Sequence, residues 1–434
     1  MQSKKTKTQD KRMVKVWYSL YDRMLNRSNL VQAFLKVKSS KGAGGIDGQS
    51  IKDFAERLSV NIDQLLMELR EKSYQPQPVR RVEIPKASGG IRLLGIPAVR
   101  DRVVQQALLD ILQPIFDPDF HPSSYGYRPG RSCHHAITKA TLFIRDYQRK
   151  WVVDMDLSKC FDTLDHDLII ATFSKRIKDG SILALLAKCL KSGVMVGDEW
   201  EASDVGSPQG GVISPLIANV YLDSFDQFMK SRGHRIVRYA DDILILCQSK
   251  KAATNALFVA SSYLEKNLLL TVNREKTHVT HSFKGVKFLG VLIHSGCTQI
   301  QKGKVQSFKE KVKAITRRNV PVNLDTIIDD LNPVLRGFAF YYRIANCRRL
   351  LQRLSSWIRR RLRAIQLTLW KKPKRLHRRL RQLGYTGEFD LIRMNSWANA
   401  GCPLSHYAIP NDCLHKDHCL FDISAVKTGI SVSI

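Results

Sequence analysis

The stretch R-I-V-R-Y-A-D-D-I-L-I-L-C, residues 235–247, constrains the fold most, because it places two adjacent carboxylates, Asp241 and Asp242, inside an apolar run. Two short runs of β-formers separated by a tight polar step predict a β-hairpin. Aspartates often simply favour a turn, but these flanking strands are apolar on both faces. Close carboxylates repel each other unless a cation holds both. The pair therefore predicts a divalent metal and a third carboxylate elsewhere in the chain.

Composition narrows the possible partners. The formal net charge is +31, from 70 Lys and Arg against 39 Asp and Glu, which predicts a polyanion, with nucleic acid favoured. An anionic membrane is disfavoured, because no apolar run reaches about 18 residues. The N-terminal MQSKKTKTQDKR lacks the apolar region of an export signal. Nine irregularly spaced cysteines then indicate reduced thiols in the cytoplasm.

The tail carries residue types that bind zinc, but without a pair-and-pair spacing, so a zinc site is disfavoured. They are Cys402, His406, Cys413, His415, His418 and Cys419.

The chain of 434 residues predicts two or three domains. Helices and strands interleave up to about residue 300, which predicts an α/β or α+β body, and beyond it no convincing strand appears before the tail. Helical spacing covers 13–38, 51–70, 98–116 and 252–267. A strand is expected at 150–156, with helices between it and residue 230. Further strands are expected as a pair within 79–97 and singly near 286–293.

Residues 348–381 contain no acidic residue, and their apolar positions keep helical spacing. A charge run usually marks a solvated face. Because so many cations without an anion repel one another, we favour a tract that contacts a phosphate backbone. Its candidate RNA-binding residues, all expected to face outward, are Arg348, Arg349, Arg353, Arg359, Arg360, Arg361 and Arg363.

The third carboxylate is expected in W-V-V-D-M-D-L-S-K-C-F-D, residues 151–162. Asp154 and Asp156 share a face by strand alternation. Asp156 ends the apolar run, whereas Asp162 is expected to begin a helix, so Asp156 is the better partner for the pair. Three such carboxylates can hold two Mg²⁺ ions about 3.5–4 Å apart.

Y-A-D-D (239–242) resembles the active-site hairpin of reverse transcriptases, and D-L-S-K-C-F-D (156–162) resembles their first carboxylate motif. A lone Y-x-D-D is a weak signal, but further blocks of the family occur in order. These are K-G-A-G-G-I-D-G (41–48), I-P-K-A-S-G-G-I-R-L-L-G-I-P (84–97), S-Y-G-Y-R-P-G-R-S (124–132), G-S-P-Q-G-G-V-I-S-P (206–215), N-R-E-K-T (273–277) and F-L-G (288–290). The helices at about 305–380 resemble the thumb, or maturase domain X, of bacterial group II intron-encoded reverse transcriptase/maturases.

The resemblance implies a right-hand polymerase, with fingers and an antiparallel palm sheet followed by an all-α thumb. The tail resembles that of the short class without an HNH endonuclease, so target-strand nicking is expected to be absent. The expected domains are an N-terminal extension with the start of the fingers (1–75), fingers and palm (76–300), thumb and domain X (301–385), and a short tail (386–434).

The implied function is an RNA-directed DNA polymerase that also binds group II intron RNA as a maturase in splicing and retrohoming. The implied partners are the intron RNA, an RNA template with a DNA primer, dNTPs and target DNA, without a membrane. Two Mg²⁺ ions, with Mn²⁺ as a possible substitute, are the implied cofactors.

The resemblance also implies roles for individual residues. Asp156, Asp241 and Asp242 would bind the metals with the Leu157 carbonyl, and Lys276 would protonate the leaving pyrophosphate. Without the resemblance, Phe161 would be expected to be a core residue. Lys86 and Arg92 would be interpreted equally well as solvated charges or as contacts to a triphosphate. The nucleotide contacts are Arg80, Lys86, Arg92, Phe161 as a sugar gate, and Gln209; the primer grip is Phe288, Leu289 and Gly290.

Two alternatives stay open at this point. One is a maturase whose only activity is RNA binding, although the intact set of carboxylates speaks against it. The other is a host-domesticated or phage-defence reverse transcriptase without an intron, which flanking DNA rather than protein sequence would distinguish.

Overall fold

The computed structural model describes residues 15–85, 89–196, 199–201, 205–207, 210–317, 322–370, 373–382 and 409–429. The chain divides into two compact units, one of residues 1–140 and 149–280 and one of residues 141–148 and 281–434. The division falls between 280 and 281, whereas the expected domain boundary lay between 300 and 301.

The helices of the first unit pack around one apolar core that includes Leu20, Phe34 and Phe54. Several of them begin at polar caps: Ser50 and Asp53 form a reciprocal capping box, and Asp165 and Asp179 each accept from the backbone at a helix start. The helices are α1 (Tyr21–Met24), α2 (Arg27–Ser40), α3 (Ile51–Glu56), α4 (Leu58–Arg70), α5 (Val99–Phe116), α6 (Cys133–Arg145, ending in the second unit), α7 (His166–Ser174), α8 (Gly180–Leu190), α9 (Ser214–Ser231) and α10 (Lys250–Asn267).

The first sheet contains the predicted strand pair, β1 (Val79–Pro85) and β2 (Ile91–Ile96), joined antiparallel. Its other strands, β4 (Val194–Val196) and β5 (Glu199–Glu201), give the order β2-β1-β4-β5. Sequence reasoning expected only helices in that region. Strands of three residues are too short to show an alternating pattern, so the helix-only expectation was wrong there.

The second sheet carries the Asp-Asp hairpin, which is confirmed. It is built from β3 (Trp151–Met155), β6 (Arg235–Tyr239), β7 (Asp242–Cys247) and β8 (His278–His281), in the order β6-β7-β3-β8. The predicted strand at 150–156 thus lies next to the second strand of the hairpin, antiparallel to it. The sheets are mainly antiparallel, with one parallel pair between β1 and β4, and together with the surrounding helices they make this unit α+β, as expected.

The second unit is mainly helical. A sheet of β9 (Val286–Phe288), β10 (Val291–Ile293) and β11 (Thr298–Ile300) precedes α11 (Lys302–Ile315), α12 (Leu324–Tyr342), α13 (Arg348–Trp370) and α14 (Pro373–Gln382). The strand expected near 286–293 is therefore a hairpin. None of the described helices is both long and apolar enough to cross a membrane.

Candidate active site and nucleic-acid surface

The Asp-Asp hairpin turns within two residues. Tyr239 pairs with Asp242, so Ala240 and Asp241 form the turn, and Ala240 adopts a positive φ of 57°. A non-glycine residue in this region carries conformational strain, which the surrounding structure has to offset. The turn therefore presents Asp241 at its tip and starts β7 with Asp242.

Asp156 lies beside this turn, as predicted. Met155 pairs with Ile243 at the last residue of β3, so one further step along both chains places Asp156 opposite Asp242. Asp154 is two residues earlier on the same face. Asp162, the alternative carboxylate, lies instead in a short 3-10 turn, Cys160–Thr163, beyond the strand.

Several carboxylates lie close together at this edge of the second sheet, and their negative charges repel one another. Burial, and then the charges of Asp241, Asp154 and Asp156, raise the pKa of Asp242 to about 7. Burial is also the main cause that raises the pKa of Asp241, and Asp156 adds to it. Repulsion of this kind favours uptake of a proton or a cation.

The N-R-E-K-T block holds Asp156 in place through its backbone. The Asp156 N–H donates to Thr277 Oγ1 at 3.1 Å, and the Asp156 carbonyl accepts from the Asn273 N–H at 2.9 Å. Asn273 Oδ1 also accepts from the Lys276 N–H, which shapes the turn. Lys276 consequently reaches Asp156, with its Nζ 3.3 Å from Oδ2.

The donor set suits a hard divalent cation. Its members are carboxylate oxygens, the ligands that Mg²⁺ prefers, and burial, with the charge of neighbouring carboxylates, raises the pKa values of Asp241 and Asp242. The Lys276 ammonium already supplies part of the missing positive charge at Asp156. Across the described residues, no three His, Cys, Asp or Glu side chains lie close enough together to form a complete group of metal ligands.

The β1–β2 hairpin contributes cations. Arg92 pairs with Ile84 and Arg80 with Ile96, so both arginines lie on one face of the hairpin. Burial raises the pKa values of Asp241 and Tyr127, and the charge of Arg92 partly offsets both rises, which puts this charge within electrostatic range of the hairpin turn. Lys86 lies outside the described residues.

A hydrogen bond joins the Phe161 backbone to the loop that precedes α9. The Ser207 N–H donates to the Phe161 carbonyl at 2.7 Å, and the Phe161 ring is partly buried against the main core. Gly210 passes so close to β2 that a Cβ there would lie 2.4 Å from the Gly95 carbonyl oxygen. Gln209 lies outside the described residues. Leu157 is buried, and its backbone bridges to Val272.

The F-L-G residues lie in the second unit, at the turn between β9 and β10. Leu289 and Gly290 both have positive φ, and Tyr341 Oη donates to the Leu289 carbonyl at 3.0 Å. A Cβ on Gly290 would lie 2.8 Å from Tyr342 Oη, so only glycine fits this close approach. The Phe288 side chain is buried, so it supports the turn from within.

Helix α13 has the predicted apolar stripe, but its arginines differ in exposure. Leu351, Leu354, Ile358, Leu362 and Ile365 are buried along one face. Exposed to solvent are Arg348, Arg349, Arg353 and Arg360.

The expectation that all seven arginines face outward is wrong for Arg363. Its side chain is 1% exposed, with Nε donating to the Ile409 carbonyl and Nη2 to Asn411 Oδ1, both at 2.7 Å. Burial, followed by the charge of Arg359, lowers the pKa of Arg363 to about 10. Arg363 lies three residues after Arg360 and four after Arg359, so it is on the cationic side of α13, but the tail segment 409–429 covers it there. Arg363 therefore holds the tail and leaves the candidate RNA surface.

Two more arginines are half-buried and have protein partners. Arg361 donates through Nε to Thr316 Oγ1 and through Nη2 to the Thr316 carbonyl, both at 2.6 Å. Arg359 donates to Ser355 and Ser356 on its own helix. Their guanidinium groups therefore make hydrogen bonds within the protein in addition to carrying a charge.

Sequence reasoning missed Tyr127. It has a positive φ of 57°, and its ring lies 6.4 Å from that of Tyr239. Burial, and then the charge of Asp241, raise the pKa of Tyr127, so it belongs to the active-site edge. The S-Y-G-Y-R-P-G-R-S block was the available signal, but it did not indicate which residue reaches the carboxylates.

Comparisons with known proteins give two family matches. The family described as "Reverse transcriptase (RNA-dependent DNA polymerase)" matches residues 84–293, and "Group II intron, maturase-specific domain" matches residues 305–384. Protein YkfC of Escherichia coli (strain K12) is 38% identical over 300 residues, which cover 60% of this chain and 79% of YkfC.

Two further relatives have names that mention an intron. Group II intron-encoded protein LtrA of Lactococcus lactis subsp. cremoris is 28% identical over 421 residues, covering 81% of this chain and 67% of LtrA. "Uncharacterized 91 kDa protein in cob intron" of Schizosaccharomyces pombe is 27% identical over 408 residues, covering 74% of this chain. The chain spans 50% of that last relative's length.

Proposed function

Because this chain belongs to the family of group II intron-encoded reverse transcriptases, which are RNA-directed DNA polymerases with a maturase domain, we propose that it extends a DNA primer on an RNA template. Its substrates are dNTPs, and it binds group II intron RNA to assist splicing and retrohoming into target DNA. The observation that carries the polymerase proposal is the meeting of Asp156 with the Asp241–Asp242 turn.

The reaction is nucleotidyl transfer. The primer 3′-oxygen forms a bond to the α-phosphorus of the dNTP while the bond to pyrophosphate breaks, and pyrophosphate leaves. Divalent metal dependence is general to this family, and the oxygen donors favour two Mg²⁺ ions held by Asp156, Asp241, Asp242 and the Leu157 carbonyl. When bound, they neutralise charge on the attacking and leaving oxygens.

The remaining residues position the substrates. Arg92 supplies a cation for the triphosphate, where a guanidinium can donate two parallel hydrogen bonds. Arg80, on the same face of the hairpin, and Lys86 are further candidates for that anion, and Gln209 is proposed to contact the nucleotide. Lys276, next to Asp156, is proposed to donate a proton to the leaving pyrophosphate.

Two other groups of residues act on the sugar and on the strands. Phe161 is proposed to pack beneath the deoxyribose and exclude a 2′-hydroxyl. The turn at Leu289 and Gly290, which Phe288 supports, is proposed to hold the primer end. The exposed arginines of α13 are proposed to contact phosphates of the intron RNA.

Primer extension on an RNA template with Mg²⁺ tests the proposal. Asp156→Asn should lower the rate by about 1,000-fold or more, because a metal ligand is lost. Asp162→Asn, a second carboxylate of the same motif, is the matched control and should stay within about tenfold of wild type. If Asp162→Asn abolished extension and Asp156→Asn did not, the assignment of the third carboxylate would be wrong.

A further inference from the structure

Arg238 is a fully buried charge three residues before Asp241. The side chains of Arg238 and Asp226 are both 0% exposed. Arg238 Nε donates to both Asp226 oxygens, at 3.0 and 2.8 Å, and Nη2 lies 2.7 Å from Oδ2. Burying two charges costs solvation energy that even a good ion pair often fails to offset. A gain in stability therefore does not by itself explain why this ion pair is buried.

The third nitrogen of Arg238 reaches the catalytic turn. Nη1 donates to the Ala240 carbonyl at 3.0 Å and to Asn219 Oδ1 at 3.0 Å. The Ala240 carbonyl belongs to the peptide that joins Ala240 to Asp241. The positive φ of Ala240 is a strained backbone conformation, and the guanidinium holds the carbonyl oxygen of that residue in place.

The S-Y-G-Y block closes the other side of the turn. Asn219 Nδ2 donates to the Gly126 carbonyl at 2.9 Å, so one amide side chain links Arg238 to this block. A Cβ on Gly126 would lie 2.3 Å from the Ala240 nitrogen, so only glycine allows the contact. The Tyr125 N–H donates to the Arg238 carbonyl at 2.9 Å. The turn is thus enclosed by two chain segments.

We propose that Arg238 is a positioning residue for catalysis, which acts through the Ala240–Asp241 peptide to fix the direction of the Asp241 carboxylate. Asp226 and Asn219 orient the guanidinium, and Gly126 blocks the turn from relaxing. The proposal rests on the proposed polymerase function for its consequence in catalysis. The holding of the turn itself is a property of the metal-free protein.

Two variants separate this role from that of an ordinary buried ion pair. The double variant R238M/D226L replaces both charges by apolar side chains of similar size, which often leaves stability unchanged or higher. Arg238→Lys keeps a charge beside Asp226, but one nitrogen replaces the two separate ones, Nε toward Asp226 and Nη1 toward Asn219 and Ala240, so the spacing of these contacts is lost. Tyr74→Phe is the control, because it removes an equally buried hydrogen bond, 2.6 Å to Asp101, elsewhere in the same unit.

Three measurements are made on each protein: thermal unfolding, hydrogen exchange of the peptides covering 235–247 without metal, and kcat with KM for dNTP and primer–template. Both Arg238 variants should exchange faster in this segment than Tyr74→Phe. Their kcat should fall roughly 100-fold, the effect of about 1 Å of misplacement, while KM for primer–template changes less than about twofold.

The proposal is overturned if either folded Arg238 variant shows wild-type exchange over 235–247, or wild-type kcat. If the double variant does not fold, Arg238→Lys decides by the same two readouts. If wild-type protein extends no primer, the proposed function fails, and the exchange measurement still decides whether Arg238 holds the turn.

Discussion

The ammonium group of Lys276 lies 3.3 Å from a carboxylate oxygen of Asp156. The Asn273 side chain accepts from the Lys276 N–H, and the Thr277 hydroxyl accepts from the Asp156 N–H. These hydrogen bonds position both residues, so the surrounding structure brings Lys276 and Asp156 into contact. The Lys276 side chain is 69% exposed, which leaves it able to swing away. In the free protein, this cation occupies the neighbourhood where a divalent ion is proposed to bind.

Replacing Lys276 by Met should therefore have opposite effects on two measurements. Affinity for Mn²⁺ without nucleic acid should rise about two- to fivefold, because an exposed ion pair of about 0–1 kcal/mol no longer competes. Primer extension should fall, because a proton donor to pyrophosphate is lost. Calorimetric Mn²⁺ titration and single-turnover extension measure the two, with Lys276→Arg as the charge-retaining control. Unchanged extension would remove Lys276 from the catalytic residues.

Asp242 should make the stability of the metal-free protein depend on pH. Its pKa of about 7 lies above its ordinary value of 3.8, so folding favours the protonated carboxyl. This contribution to the free energy of unfolding is fully present below pH about 4 and is lost as pH rises through about 7. Divalent metal should restore stability above that pH.

Denaturant unfolding at about pH 5 and about pH 8, with chelator or with Mg²⁺, measures this effect. Burial also raises the pKa values of Asp101 and Asp226 to about 6, so wild type is compared with Asp242→Asn, which keeps both groups. Identical pH dependence in the two proteins would show that Asp242 does not titrate in this range.

Phe161→Val should weaken discrimination against ribonucleotides. The Phe161 ring is partly buried against the core, and the Phe161 carbonyl accepts a hydrogen bond from the Ser207 N–H. Because both atoms of that hydrogen bond belong to the backbone, the variant keeps it. A smaller side chain leaves room for a 2′-hydroxyl, so the ratio of kcat/KM for dNTP over NTP should fall by roughly tenfold or more. Retained activity with an unchanged ratio would mean that Phe161 only packs in the core.

The exposed face of α13 should contribute electrostatically to RNA binding. Arg349, Arg353 and Arg360 are spaced by four and seven residues and so lie on one side of the helix. Replacing all three by Gln should reduce the slope of log affinity against log salt by roughly 2–3, because each phosphate contact releases counterions. Salt titrations of intron RNA binding measure the slope.

The same three positions changed to Lys serve as the control for that experiment, because the charges stay. Their slope should match wild type. A Gln variant with the wild-type slope on both intron RNA and a short duplex would identify this face as merely solvated.

Arg363→Met should instead reduce stability. It leaves the buried Ile409 carbonyl and Asn411 without their donor, which costs about 1–3 kcal/mol. Arg360→Gln, on the exposed face of the same helix, should change the free energy of unfolding by about 0.5 kcal/mol or less. Urea unfolding of both variants makes the comparison, and equal effects would contradict the structural role of Arg363.

The sequence alone determined the features that arise within a few residues. Apolar runs on either side of Ala240 specify a hairpin, and the apolar run ending at Asp156 specifies a strand end. The helical stripe from Leu351 to Ile365 follows from spacing of three and four residues. Local propensity and periodicity are properties of neighbouring residues, so they can be read without the fold.

Only the tertiary structure decided which polar groups meet. Thr277 accepts a hydrogen bond from Asp156, 121 residues away, and Asn411 accepts one from Arg363, 48 residues away. Arginines of one charge run thereby acquire different partners, and Arg238 contacts the turn that carries Asp241. Burial and hydrogen-bond partners depend on which distant segment covers a side chain, and no local pattern encodes that.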